Sequence, residues 1–199
     1  MVKQKGTLMA GKLYLCATPI GNLGDMTPRV VETLNMVDVI AAEDTRNSIK
    51  LLNHFDIHTP MTSYHEYNKV EKAYQLIGQM QNGQNIALIT DAGTPAISDP
   101  GEVLVAMCHE NNIPVTSLPG ACACITALTL SGLPTGRFCF EGFLSTAKKS
   151  RREHLESLKK EYEKERSFYP LRHDNLPLLP SLSIHYVISP TTKLILPNL

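Results

Sequence analysis

Several features that mark particular protein classes are missing from this 199-residue sequence. The formal net charge is zero and 43% of the residues are hydrophobic, which is the composition of an ordinary globular protein. The longest nearly apolar run, residues 121–130, is too short to cross a bilayer, and residues 1–6 lack the apolar core of a signal peptide. We therefore expect a cytoplasmic protein without a membrane span, built as one large domain or two small ones.

Cysteine pairs with metal-ligand spacing are also missing. The five cysteines are odd in number and none forms a Cys-x-x-Cys pair. This pattern predicts buried, reduced thiols rather than a disulfide framework or a zinc site. The cysteines are Cys16, Cys108, Cys122, Cys124 and Cys139.

The zero net charge conceals an uneven distribution. Residues 1–147 carry 9 basic and 13 acidic side chains, whereas residues 148–166 carry 8 and 5. The basic excess begins with Lys148, Lys149, Arg151 and Arg152, a group that we call the basic run. Such a run can contact phosphates, but it also occurs on the solvated face of a mixed-charge helix.

Short apolar runs alternate with helical patterns along most of the chain. This alternation predicts a parallel sheet covered by helices, which is an α/β fold. Thr27 suits an N-cap and Pro28 suits the first position of a helix. The first strand leads into a turn with glycines at 21 and 24 that lack the Gly-x-Gly-x-x-Gly spacing, which disfavours a dinucleotide fold. Strands are predicted over residues 12–17, 37–42, 86–89 and 113–118, and helices from Pro28 onward and over 47–55, 71–80, 103–110 and 122–130.

Residues 90–100, which we call the central loop, follow a fully apolar strand at 86–89. Ligands of open α/β sheets bind beyond the carboxyl ends of the strands, so a loop rich in small and polar residues at this place is a candidate ligand loop. Gly93 would let the backbone approach a ligand closely. The alternative is a rigid connector in which Ser98 or Asp99 caps the next helix.

Charged and aromatic residues follow the second strand and the helix after it. Glu43, Asp44 and Arg46 stand at the strand end, where Arg46 could hold a phosphate or carboxylate while an acidic neighbour orients it. In the alternative, Asp44 is simply the N-cap of a solvated helix. Further on, residues 64–67 contain side chains that could flank a substrate base or rim an interface, namely Tyr64, His65 and Tyr67.

Six motifs occur in a fixed order along residues 10–166. Together they resemble the small-subunit ribosomal RNA methyltransferase I group of the tetrapyrrole methylase superfamily, whose members use S-adenosylmethionine. Six ordered motifs are a stronger signal than any single glycine turn. The motifs are TPIGNLGD at 18–25, AEDTR at 42–46, TDAGTPAISDPG at 90–101, PGA at 119–121, SGLPT at 131–135 and FCFEGFL at 138–144.

The resemblance implies a fold and an activity. It implies a tetrapyrrole methylase-like α/β architecture with a parallel-sheet first domain, a second α/β domain and the cofactor between them. It further implies a homodimer that methylates the ribose 2′-oxygen of one cytidine in the decoding region of small-subunit (16S) rRNA, without a metal. Relatives in the same superfamily methylate corrin precursors and resemble the cofactor turns but not the AEDTR stretch.

Candidate site residues fall into three groups, of which the resemblance implies the first. Those implied to hold S-adenosylmethionine are Pro19, Asp91, Ala92, Gly93, Thr94, Ile97, Cys122 and Ala123. Asp44 and Glu43 are candidates for the base or for substrate orientation, with Arg46 beside them. RNA would be contacted by Arg46 and the basic run.

The resemblance predicts three segments and ends at Arg166. Residues 1–133 would be the first domain, and 134–166 would be an incomplete second domain with one strand and one charged helix. Residues 167–199 contain prolines at 170, 177, 180, 190 and 197 and show no sustained periodicity. We expect this stretch to be an atypical tail, from a shifted reading frame or disordered, which leaves a non-catalytic remnant as an alternative function.

Overall fold

A five-stranded parallel sheet lies at the centre of the first of two compact units, which ends at Cys122. The computed structural model describes residues 10–132, 135, 138 and 140–168, and only the backbone of 161–168. The strands stand in the order β3-β2-β4-β1-β5, and all adjacent pairs are parallel. Their bounds are β1 Leu13–Cys16, β2 Val39–Ala42, β3 Met61–Ser63, β4 Ile86–Ile89 and β5 Val115–Leu118.

Helices cover both faces of this sheet. The central strand β4 is buried throughout, as its apolar run predicts, and its side chains alternate between two hydrophobic clusters. Ile86 and Leu88 pack in the cluster of the third and fourth helices, whereas Ala87 and Ile89 pack in that of the first and second. The helices of this unit are α1 Pro28–Met36, α2 Thr45–His54, α3 Lys69–Gln81 and α4 Gly101–Glu110, with a 3₁₀ turn at Leu23–Asp25.

Local signals for helix starts are confirmed at α1, where Thr27 accepts a hydrogen bond from the Val30 amide at 3.3 Å and Pro28 is the first helical residue. Helices α2 and α3 both begin two residues earlier than their apolar spacing predicts. Strand β3 was not predicted at all. It is three residues long, half-buried and at the sheet edge, so it has no readable alternation, and its pairing with β2 defines it.

The second compact unit begins at Ala123 and contains α5, Ala123–Leu130, and α6, Lys148–Phe168. No strand is found among the described residues of this unit within 134–166. The single strand expected there stays a prediction, because residues 134, 136, 137 and 139 lie outside the described residues. Residues 169–199, which hold most of the predicted tail, lie outside the described residues, and the predicted domain boundaries remain predictions.

Candidate functional site

The loops after β1 and β4 meet at a point where the sheet changes its direction of winding. These strands are neighbours, yet the helix after β1 packs on one face and the helix after β4 packs on the other. The two loops therefore lead to opposite faces of the sheet. The region beyond these strand ends, which we call the crevice, is the usual ligand position in such sheets. The central loop lies at this point, as predicted.

A two-hydrogen-bond bridge joins the loops at the crevice. The Thr18 amide donates to the Gly93 carbonyl at 2.9 Å, and the Gly93 amide donates back at 3.1 Å. Gly93 is buried with φ +92°, a conformation that side chains other than glycine rarely adopt. Pro19 follows Thr18 directly and is half-buried, so the bridge fixes the position of both predicted cofactor residues.

The turn after β5 is tied to the same place. The Thr94 hydroxyl donates to the Ala121 carbonyl at 3.0 Å. A Cβ on Gly120 would lie 2.7 Å from the Cβ of Ala17, so only glycine lets this turn pack so closely against the end of β1. Cys122 is half-buried after it, while Ala123 begins α5 in the second unit.

The tip of the central loop has an unusual backbone. Ala96 and Ser98 have φ of +66° and +56°, and non-glycine residues enter this left-handed region only at a cost in energy. Ile97 stands between them with 42% of its surface exposed. The connector interpretation holds in part, since Asp99 accepts a hydrogen bond from the first residue of α4, Gly101, at 2.7 Å. The ligand-loop interpretation stays a prediction.

Glu43 is hydrogen-bonded to the start of the central loop. Its carboxylate accepts from the Thr90 hydroxyl at 2.7 Å, and the Thr90 carbonyl accepts from the buried Thr18 hydroxyl at 3.1 Å. These bonds connect the carboxyl ends of β2, β4 and β1. The structure thus brings Glu43 to the same crevice as the predicted cofactor residues.

Asp44 forms the N-cap of α2 and an ion pair with Arg46. Its carboxylate accepts from the Arg46 amide at 2.9 Å and from two guanidinium nitrogens at 3.1 and 2.9 Å. The hydrogen-bonded guanidinium lowers the pKa of Asp44 to about 2. The Arg46 side chain is 88% exposed, so it presents its remaining N–H donors to solvent.

We predict that replacing Asp44 by alanine will lower the melting temperature at neutral pH, and that this deficit will shrink in acid to the part caused by the lost N-cap. The folded-state pKa lies below the usual value of 3.8, so the ion pair stabilises the protein above pH 3.8 and loses this effect as the pH falls towards 2. Thermal unfolding of both proteins at several pH values from 7 to 2 measures how the difference in melting temperature changes. Asp44→Asn keeps a capping oxygen but loses the charge, so it is the control for the cap alone. If the Asp44→Ala deficit in melting temperature stayed constant across this pH range, the ion pair would not contribute to stability.

Asp91 is the next carboxylate along the crevice. Partial burial raises its pKa, and the nearby charges of Glu43 and Asp44 act in the same direction. The Asn47 side-chain amide donates to it at 3.4 Å. The sequence patterns did not identify Asn47 as a site residue, although its position three residues after the N-cap of α2 could have indicated it.

The three ring-bearing side chains of the segment after β3 do not share one role. Tyr64 is 1% exposed and its hydroxyl donates to the Pro100 carbonyl at 2.9 Å, so its ring cannot stack on a substrate base, which is a correction. Tyr67 is 97% exposed. His65 is half-buried and meets the Tyr67 ring edge-on, with 6.1 Å between their centroids.

The basic run lies at the start of α6, as predicted for a charged helix. All four side chains are exposed. Lys149 and Arg152 each pair with a glutamate one helical turn later, at 3.9 and 2.8 Å, whereas Lys148 and Arg151 have no ion pair with a described residue. The surface is thus compatible with both phosphate contact and a solvated helix face.

Comparison with known proteins identifies the family. The sequence profile described as Tetrapyrrole (Corrin/Porphyrin) Methylases matches residues 12–181. The chain belongs to the tetrapyrrole methylase family. The predicted α/β class and the family resemblance are thereby confirmed, and the match extends past Arg166 to residue 181.

Two curated relatives and one solved structure give the similarity in detail. The chain is 62% identical over 151 residues to ribosomal RNA small subunit methyltransferase I of Synechocystis sp., covering 76% of this chain and 54% of the relative. It is 51% identical over 176 residues to the Haemophilus influenzae protein of that name, covering 88% and 62%. The crystal structure of diphthine synthase shows the same fold, with a TM-score of 0.58 and 13% sequence identity, over 74% of this chain and 61% of that protein.

The chain thus spans a little over half the length of these curated relatives. Within the residues that the structure describes, no helix is both long and apolar enough to cross a membrane. The same residues contain no group of three side chains that could hold a metal ion.

Proposed function

We propose that this chain is an S-adenosylmethionine-dependent methyltransferase for the ribose 2′-oxygen of a cytidine in small-subunit (16S) rRNA. The observation that carries the proposal is its 62% identity to a curated ribosomal RNA small subunit methyltransferase I. Activity and partners of the whole protein are part of the proposal because the chain spans only 54% of that relative. We further propose that it acts in the cytoplasm as a homodimer.

The residues at the crevice suit S-adenosylmethionine. Asp91 is partly buried but keeps an exposed surface, and its contact with Asn47 is long at 3.4 Å, so its carboxylate can accept hydrogen bonds from an ammonium or from ribose hydroxyls. Ile97 offers an exposed apolar surface on the same loop. Pro19, Ala92, Gly93 and Thr94 would contribute mainly backbone contacts, and Cys122 and Ala123 remain predicted contacts.

Bound S-adenosylmethionine supplies a methyl group already activated on a sulfonium, so the protein must chiefly align the ribose hydroxyl and accept its proton. We assign Asp44 to orienting Arg46, because a carboxylate with a pKa of about 2 is a weak base. Glu43, at the same crevice, is then the preferred candidate for proton removal. Arg46, with its exposed guanidinium, would contact an RNA phosphate.

One other function has support of its own: a corrin-precursor methylase is compatible with the family, whose description names corrin and porphyrin methylases. A non-catalytic remnant, the remaining hypothesis from the sequence, is tested by the same experiment.

Methyl transfer from labelled S-adenosylmethionine separates these functions. The 199-residue chain should label small ribosomal subunits from cells that lack this methyltransferase, and mass spectrometry should locate the label on one cytidine ribose. Labelling of a corrin precursor instead would establish the second function. Calorimetric cofactor binding without labelling of either substrate would indicate the remnant.

A further inference from the structure

Asp99 holds the central loop in its strained conformation from within. One carboxylate oxygen, Oδ1, accepts from the Ala96 amide at 3.0 Å and from the Gly101 amide at 2.7 Å. These two amides bracket the left-handed residues Ala96 and Ser98. Because such backbone conformations persist only where surrounding contacts enforce them, the carboxylate is the group that maintains this turn.

Two neighbouring features support the hydrogen bonds of Asp99. A Cβ on Gly101 would lie 2.7 Å from Asp99 Oδ1 and 3.0 Å from the Ala96 nitrogen, so glycine is needed for the carboxylate to reach both amides. The buried Tyr64 hydroxyl donates to the Pro100 carbonyl at 2.9 Å and anchors the loop to the segment after β3. A cavity of about 10 Å³, with room for roughly one water, lies beside these residues and Glu43.

We propose that Asp99 and Tyr64 are positioning residues that preorganise the central loop for its cofactor. This inference rests on the proposed function. The bonds from Asp99 and Tyr64 fix residues 96–100, so Ile97 and the preceding residues 91–94 are presented in one arrangement before the cofactor binds. A loop that must first be ordered binds its ligand more weakly, because ordering costs conformational entropy.

The test compares cofactor affinity in the full chain for Asp99→Ala, Asp99→Asn and Tyr64→Phe by calorimetry. Asp99→Ala should weaken S-adenosylmethionine binding roughly tenfold or more, since two amides lose a charged acceptor. Asp99→Asn should restore affinity to within about threefold of wild type because its side-chain oxygen can accept both bonds. Tyr64→Phe, which removes one neutral hydrogen bond, should cost about threefold.

Glu102→Ala is the matched control. It removes an exposed carboxylate one residue beyond Gly101, and its affinity should equal that of wild type. The binding stoichiometry supplies a second readout: a merely structural role would reduce the fraction of competent protein and leave the affinity of that fraction unchanged. Hydrogen exchange should show faster exchange of the Ala96 and Gly101 amides in Asp99→Ala than in Asp99→Asn.

The outcomes separate this inference from the proposed function. Absence of binding by the wild-type chain would overturn the proposed function and the cofactor role together. Wild-type affinity in Asp99→Ala, despite faster amide exchange, would overturn only the positioning role. If Asp99→Ala does not fold, Tyr64→Phe decides the matter, and wild-type affinity in that variant contradicts the inference.

Discussion

Replacing Gly93 by valine should weaken S-adenosylmethionine binding by roughly a hundredfold or more. Valine at φ +92° adds backbone strain of about 1–2 kcal/mol. Its Cβ would lie in van der Waals contact, 3.4 Å from Ile20 Cγ2 and 3.6 Å from the Ala121 carbonyl, and we expect its two further methyl groups to displace one of these neighbours. Either displacement disturbs the bridge to Thr18, and the loops after β1 and β4 then separate at the proposed cofactor site.

Calorimetry measures the loss, and circular dichroism shows whether secondary structure survives, as we expect. Gly78→Val is the matched control, because a Cβ at that position of α3 has nothing within 4 Å and its φ is not positive. Gly93→Ala should have an intermediate effect, since it introduces the strain without the additional methyl groups. Unchanged affinity in Gly93→Val would remove the central loop from the cofactor site.

Neutralising the basic run should weaken RNA association and flatten its salt dependence. Each lost phosphate contact lowers the slope of log affinity against log salt by roughly 0.7 to 0.9, so four contacts correspond to a change of about 3 to 4. Cofactor affinity should remain that of wild type. The substitutions are Lys148→Gln, Lys149→Gln, Arg151→Gln and Arg152→Gln, tested by RNA binding between 50 and 200 mM salt.

A variant with the same change in net charge provides the control for this experiment. It neutralises four cations of the first unit and should reduce the salt slope much less, because these side chains are dispersed over three helices. If both variants behaved alike, or if the slope did not move, the basic run would be the solvated face of a mixed-charge helix. The control positions are Arg29, Lys50, Lys69 and Lys72.

Local patterns in the sequence determined most elements of the first unit. The apolar run at 86–89 predicted the buried central strand, and Thr27 with Pro28 marked the start of α1, because both signals act over a few neighbouring residues. The six motifs identified the family. The same local reasoning found Asp44 beside Arg46, since the side chain of an N-cap residue lies close to the first residues of its helix.

What local patterns could not give was the pairing of distant segments. Strand β3 exists because β2 lies next to it, and its three residues carry no periodicity of their own. Tyr64 looked like a surface aromatic, but packing buried it and directed its hydroxyl to Pro100, 36 positions away. The contact of Asn47 with Asp91 spans 44 positions and depends on the order of the strands.

The residue types of the candidate site were therefore set by the sequence, and their arrangement by the tertiary structure. Glycine and small polar residues after an apolar strand predict a candidate ligand loop. Which loops meet depends on the sheet order β3-β2-β4-β1-β5 and on the faces where the helices pack. That order is decided by burial of apolar surface across the whole unit, a sum over distant residues that no short stretch of sequence contains.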